Sequence, residues 1–280
     1  MLFYLGLLVA AGLALFTAGP HSGMSARAPR LAGIALLGAL VGLVAGGAEV
    51  AFHVAAVSGN GVPGAFDLGT WRAVLGTGLG PALLLRTVGL TVLAVGARRR
   101  IRDGLASGPD PWKLLGALVA ITSFQFVGHT ASAAPPVVVR SADLVHALAA
   151  SVWVGGLVGL RVTARSGDPT DRAVTIGRFS TWATWAVAGV TGAGVALAWV
   201  NLPTIAASWQ TGYGRLLLAK LALVGLLLLM GAHNHFNLVP RVVAGDVGAA
   251  TDLRQIVRRE LAVVAVVVVL TALLVNTSPA

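Results

Sequence analysis

The stretch LAGIALLGALVGLVAGGAEVAFHVAAV, residues 31–57, carries a single charged side chain, Glu49, in an otherwise apolar run. A membrane-crossing helix needs about 20 consecutive apolar residues. Barrel strands are much shorter and alternate, and lipid tolerates no other backbone arrangement. The run therefore reads as a transmembrane helix. Its one acid is the exception, because a carboxylate in hydrocarbon is costly and marks a functional position by default. Glu49 and His53 are four residues apart, which on a helix puts them on one face, one turn apart.

The same pattern recurs along the chain. It is 280 residues long, 56% hydrophobic and 11% charged, with a mean hydropathy of +0.85. The reading is an all-α, polytopic transmembrane helical bundle of about eight spans, at 2–18, 31–57, 72–96, 112–132, 141–162, 179–201, 212–235 and 260–276. The first span has no positive region before it and no A-x-A-like site ahead of HSGMSARAPR (21–30), so it reads as a retained span. Loops are short, making residues 1–280 a single integral membrane domain. The longest loop, 236–259, has room for an interfacial helix.

The charge distribution orients these spans. Fifteen of the 20 Lys and Arg flank the odd-numbered loops: Arg27 and Arg30; Arg98, Arg99, Arg100, Arg102 and Lys113; Arg161, Arg165, Arg172 and Arg178; Arg241, Arg254, Arg258 and Arg259. Only Arg72, Arg140 and Arg215 lie on the other side. By the positive-inside rule the odd loops are cytoplasmic and both termini are extracytoplasmic. The +10 net charge thus reports topology and does not point to nucleic acid. The expected location is the cytoplasmic membrane, with lipid as the surrounding partner.

With that orientation, His53 of span 2, His129 of span 4 and His146 of span 5 all fall in the outer third of the bilayer. Each has a candidate partner on its own face: Glu49 for His53, Asp143 for His146 and Gln125 for His129. A metal-bound imidazole donates its other N–H to such an acceptor. With no cysteine and three methionines, thiolate chemistry is absent and a metal site would rest on histidine. Imidazoles suit divalent copper or zinc, and two or three also hold cuprous copper. Taken singly, each histidine is an ordinary interfacial polar residue; their common depth carries the weight.

Three further features bear on function. His233 and His235, in GAHNHFNLVP (231–240), lie at the inner end of span 7 as a candidate exit site. At i,i+2 they diverge on a regular helix and could chelate together only if it unwinds. Arg86 and Lys220 are intramembrane cations that need partners, and an Arg86–Glu49 or Lys220–Asp143 pairing would give those acids a structural role. Trp153 shares the stripe of His146, and Gly155–Gly156 would admit a neighbouring helix closely.

DLVHALAASVWVGGLVGL (143–160), RFSTWATWAVAGVTGAGVALAWV (178–200) and TGYGRLLLAKLALVGLLLLMGAHNHFNLVPRV (211–242) resemble, in order, the H-x6-W-x-G-G, R-F-S and Y-G-R-x-L-x-x-K blocks of the copper resistance protein D family. The specific part covers about 120–245. The resemblance implies an inner-membrane copper-handling protein, often served by an extracytoplasmic copper chaperone. It marks His146 as functional and Trp153, Arg178, Tyr213, Arg215 and Lys220 as matched motif residues. Three functions follow as expectations. The first is a copper permease without an ATP motif, taking copper from the outer face. The second is a haem b-binding oxidoreductase, since the set also looks related to membrane protoporphyrinogen oxidases. The third is an assembly protein that docks the chaperone. A homo-oligomer is compatible with all three.

Overall fold

The computed structural model describes residues 1–19, 28–103, 111–128, 134–163, 169–202, 204 and 206–277. Among these there is helix and no strand. The helices are α1 (Leu2–Ala18), α2 (Ala28–Ser58), α3 (Leu68–Leu75), α4 (Leu79–Asp103), α5 (Pro111–Thr122), α6 (Pro136–Thr163), α7 (Pro169–Asn201), α8 (Ala207–Gln210), α9 (Gly212–His233), α10 (Val239–Val243) and α11 (Val247–Val275). Short 3₁₀ turns at Val62–Phe66 and Ser123–Phe126 and a π-helical turn at Asn234–Leu238 complete the path. Five segments are long and apolar enough to cross a membrane: 29–58, 79–102, 136–163, 172–201 and 212–243. The helix α1 is apolar but shorter.

A helix that is apolar all round is either enclosed by protein or faces lipid, and both cases occur. The enclosed one is α1, with Phe3, Leu7, Leu13 and Phe16 all buried. It packs on α2, α4 and α5 on one side and on α6 and α11 on the other. By contrast, α2 leaves Leu37, Leu40, Val44 and Phe52 exposed, as a lipid-facing stripe would be. One core joins Leu8, Leu13 and Phe16 of α1 to α6, α7, α9 and α11; a second joins Phe3, Leu7 and Ala10 to α4 and α5.

Small residues set the closest of these contacts. A Cβ built on Gly12 would collide with the Ser151 carbonyl and the Gly155 backbone, and one on Gly155 would collide with the Gly12 backbone. Thus α1 and α6 touch main chain to main chain. On the next residue, Gly156, the missing side chain makes room for the Phe179 ring of α7. The paired glycines do bring two neighbours in, as small residues at membrane-helix interfaces do.

Three expected spans differ in detail. The segment read as 72–96 is broken at 76–78, where the Thr77 hydroxyl bonds the Val74 carbonyl at 2.6 Å and accepts from Leu79 N–H at 3.3 Å. Local side-chain bonds of this kind compete with the helix. The break brings Arg86 to within about 10 Å of the start of α4 at ~1.5 Å per residue. The segment read as 112–132 leaves α-helix at Thr122 and ends in an extended Val127 and Gly128 at φ +83°. The loop read as 236–259 is largely helical: α11 runs unbroken for 29 residues, capped at its start by the Asp246 carboxylate on Ala249 N–H. Glu260 therefore stands in mid-helix and not at a helix start.

Arg86 is 3% exposed and its Nη1 lies 3.7 Å from Glu49 Oε2, whose side chain is 49% exposed. Its guanidinium also lies 4.1 Å from the Phe3 ring centroid. Glu49 thus answers the Arg86 charge, the structural role weighed against pairing with His53. The burial asymmetry sets a prediction. Glu49→Ala strands a buried cation and should cost on the order of 2 kcal/mol, below the ~3–5 of a fully buried pair because Glu49 is half exposed. Arg86→Met should cost less, since the acid left behind is half exposed whereas the cation is buried. Thermal melts of the two detergent-solubilised variants compare them directly; a less stable Arg86→Met would refute this account.

Candidate functional site

Four helices, α6, α7, α9 and α11, enclose a cavity of about 280 Å³ at the end of the bundle where α1 begins. Its polar groups are few: Asp143 and His146 from α6, Asn201 from α7, Tyr213 and Lys220 from α9, and Thr271 from α11. Tyr4 of α1 also lines it, stacked on Phe124 with ring centroids 5.6 Å apart. A mostly apolar pocket with a few convergent polar groups is the usual form of a small-ligand site.

His146 Nδ1 lies 3.1 Å from the Val190 carbonyl oxygen. A carbonyl only accepts, so Nδ1 carries the proton and donates it. Nε2 is then the nitrogen with a free lone pair, the state of a metal-ligating imidazole whose other N–H is held by a backbone carbonyl. The expected partner was Asp143, one turn earlier. Asp143 instead accepts from Gln125 Nε2 at 3.2 Å, so Gln125, read as the partner of His129, ties the turn after α5 to α6.

The other histidines fall elsewhere. His53 is exposed on α2, while Val50 and Val54 are the buried residues of that stretch, and it does not line the cavity. Helix rotation accounts for this: the apolar pair takes the core-facing positions and turns His53 outward. His129 lies outside the described residues; Gly128 before it lines the cavity. Among the described residues no group of three or more His, Cys, Asp and Glu is close enough to hold a metal. No second described histidine lines the cavity to complete a bis-histidine haem b site. Lys220 lines the cavity but makes no ion pair with Asp143.

A second cavity, of about 290 Å³, lies toward the opposite end between the same four helices. On α7 and α11 the two linings part by about one helical turn, Val187 from Val190 and Glu260 from Val264, while on α9 the adjacent Leu228 and Leu227 face the two sides. Among the described residues the one lining both is Trp153, 7% exposed. His235 lines the second cavity, its Nδ1 2.7 Å from Ser180 Oγ. His233 is exposed, with Asn237 Nδ2 3.3 Å from its Nδ1. The π turn begins just after His233, yet the two histidines still part.

Family models cover most of the chain: residues 1–137 match the copper resistance protein D-like N-terminal domain and residues 173–274 match copper resistance protein D. The chain belongs to the copper resistance protein D family. It is similar to the copper transport protein CutJ of Bacillus subtilis (strain 168), 28% identical over 197 residues, which covers 68% of this chain and 36% of CutJ. It is also similar to the inner membrane protein YebZ of Escherichia coli (strain K12), 28% identical over 234 residues, covering 79% of this chain and 76% of YebZ. The chain therefore spans about a third of CutJ and three quarters of YebZ. No solved structure matches. Of the motif residues, Trp153, Tyr213 and Lys220 line the first cavity with His146, while Arg178 and Arg215 are exposed. As a copper resistance protein D family member with long apolar helices, the chain is a multi-pass membrane protein.

Sequence reading missed Asn234 and Glu260 of the second cavity. Glu260 follows Arg258 and Arg259 and was taken for the first residue of a span. The capping Asp246, fourteen residues before Glu260 and directly ahead of an uninterrupted helical run, is the signal that α11 starts earlier.

Proposed function

We propose that this protein carries copper across the cytoplasmic membrane through the bundle of α6, α7, α9 and α11. The cavity around His146 receives the ion at the extracytoplasmic side, and the cavity around His235 releases it toward the cytoplasm. The observation that carries this reading is His146, which lines the cavity with its Nδ1–H committed to the Val190 carbonyl and its Nε2 left with a free lone pair. The sidedness rests on the Lys and Arg asymmetry, and the cargo on the family and on the name of CutJ. Without a nucleotide motif, ATP does not drive the step directly. One imidazole makes a weak site that lets a passing ion go, and an extracytoplasmic copper chaperone would supply the ion at the outer mouth. His129 is proposed as a further ligand there.

The test is copper bound per chain in tag-free, detergent-purified protein, by equilibrium dialysis. His146→Ala should lower the affinity of the tightest site at least tenfold, a loss of about 1.4 kcal/mol or more. His53→Ala should leave it unchanged, because His53 stands outside the cavity. Wild-type affinity retained in His146→Ala would overturn the assignment.

A further inference from the structure

We propose that Glu260 and Asn234, with His235 beside them, form a second binding site for the transported cation, in the cavity nearer the cytoplasm. The identity of the cation rests on the reading above; the site rests on its own geometry. Glu260 is 1% exposed and Asn234 8% exposed, and both line that cavity. Asn234 Nδ2 donates to Glu260 Oε1 at 3.0 Å. That bond leaves two acceptors, Glu260 Oε2 and Asn234 Oδ1, buried with no hydrogen-bond partner.

A buried acceptor left unmatched costs about 1–3 kcal/mol, and more when it carries charge. Two on one bonded pair call for a positive ligand. Among the described residues no Lys or Arg lines this cavity, and its hydroxyls are engaged, Ser180 with His235 and Thr184 with the Ser180 carbonyl. The polar residues arrive there because the chain leaves α-helical geometry. The π turn at Asn234–Leu238 brings Asn234, His235 and Phe236 in succession to the cavity lining. π turns inside helices are frequent at functional sites.

The donors are a carboxylate oxygen, an amide oxygen and an imidazole. That mixed set suits a borderline divalent ion such as cupric copper. Two oxygens and one imidazole are too few to hold a resident structural metal. They suit a stopping point from which an ion departs. The pair lines the cavity on the far side of Trp153, where a cation leaving the His146 cavity would next meet acceptors.

The experiment uses the full-length, tag-free protein and cupric ion, again by equilibrium dialysis. His146→Ala should keep a weaker site, and His146→Ala combined with Glu260→Gln should weaken it at least tenfold further. Gln preserves the size of the side chain and the acceptor for Asn234, and melting temperatures of the two proteins should agree. Glu260→Asp should restore part of the binding, which a purely structural acid would not do. Residual copper binding identical with and without Glu260→Gln, or absent from His146→Ala alone, overturns the second site while leaving the first intact. Wild-type protein that binds no copper overturns the copper reading itself, an outcome distinct from both.

Discussion

Gly155→Leu is expected to give no folded, monodisperse protein in detergent. Over-packing a core usually costs about 1–3 kcal/mol because neighbouring side chains give way. At Gly155 the neighbour is the main chain of Gly12, with the Ser151 carbonyl on the other side of the same contact. Main chain cannot swing aside as a rotamer does, so α1 must separate from α6. That separation opens both cores, since α1 contributes Leu13 and Phe16 to one and Leu7 and Ala10 to the other. Size-exclusion chromatography of Gly155→Ala and Gly155→Leu reads the gradation. A Leu variant eluting and melting like the wild type would refute the close contact.

Trp153→Ala is expected to merge the two cavities into one passage. Among the described residues the indole is the one side chain that lines both the 280 Å³ and the 290 Å³ space. Its removal takes away a side chain that stands between the two, where the linings on α7 and α11 are only about one helical turn, roughly 5 Å, apart. Passive copper leak into vesicles containing the variant should rise severalfold over wild type, with Trp153→Phe between them. Stability should fall by about 3–5 kcal/mol, the usual cost of emptying a buried aromatic site. Leak equal to wild type in a variant that remains folded would show that some other group closes the passage.

Much of this arrangement was legible in the residues. Hydropathy alone located the long helices, because in lipid the backbone has no alternative way to bond itself. The H-x6-W spacing of His146 and Trp153 put both on one stripe of α6, and both do line one cavity. What escaped was rotation about helix axes. His53 stands on an exposed face of α2 away from the cavity, and a segment apolar on all sides carries no periodic signal to orient it. Glu260 escaped for a different reason. Arg258 and Arg259 precede it, and a cluster of charges looks like an interface when the helix around it is cut too short. Gln125 was assigned to a neighbour in sequence and found one across space, in Asp143, a pairing no local spacing encodes.

The central position of α1 has a bearing on biogenesis. Helix α1 acquires its full set of contacts late, for α6 and α11, which pack on it, are synthesised long after it. Until then its inward surface must be sheltered by lipid, by insertion machinery or by the early helices α2, α4 and α5. Assembly of this bundle thus waits on α11, and a chain cut before α6 would leave α1 half clothed.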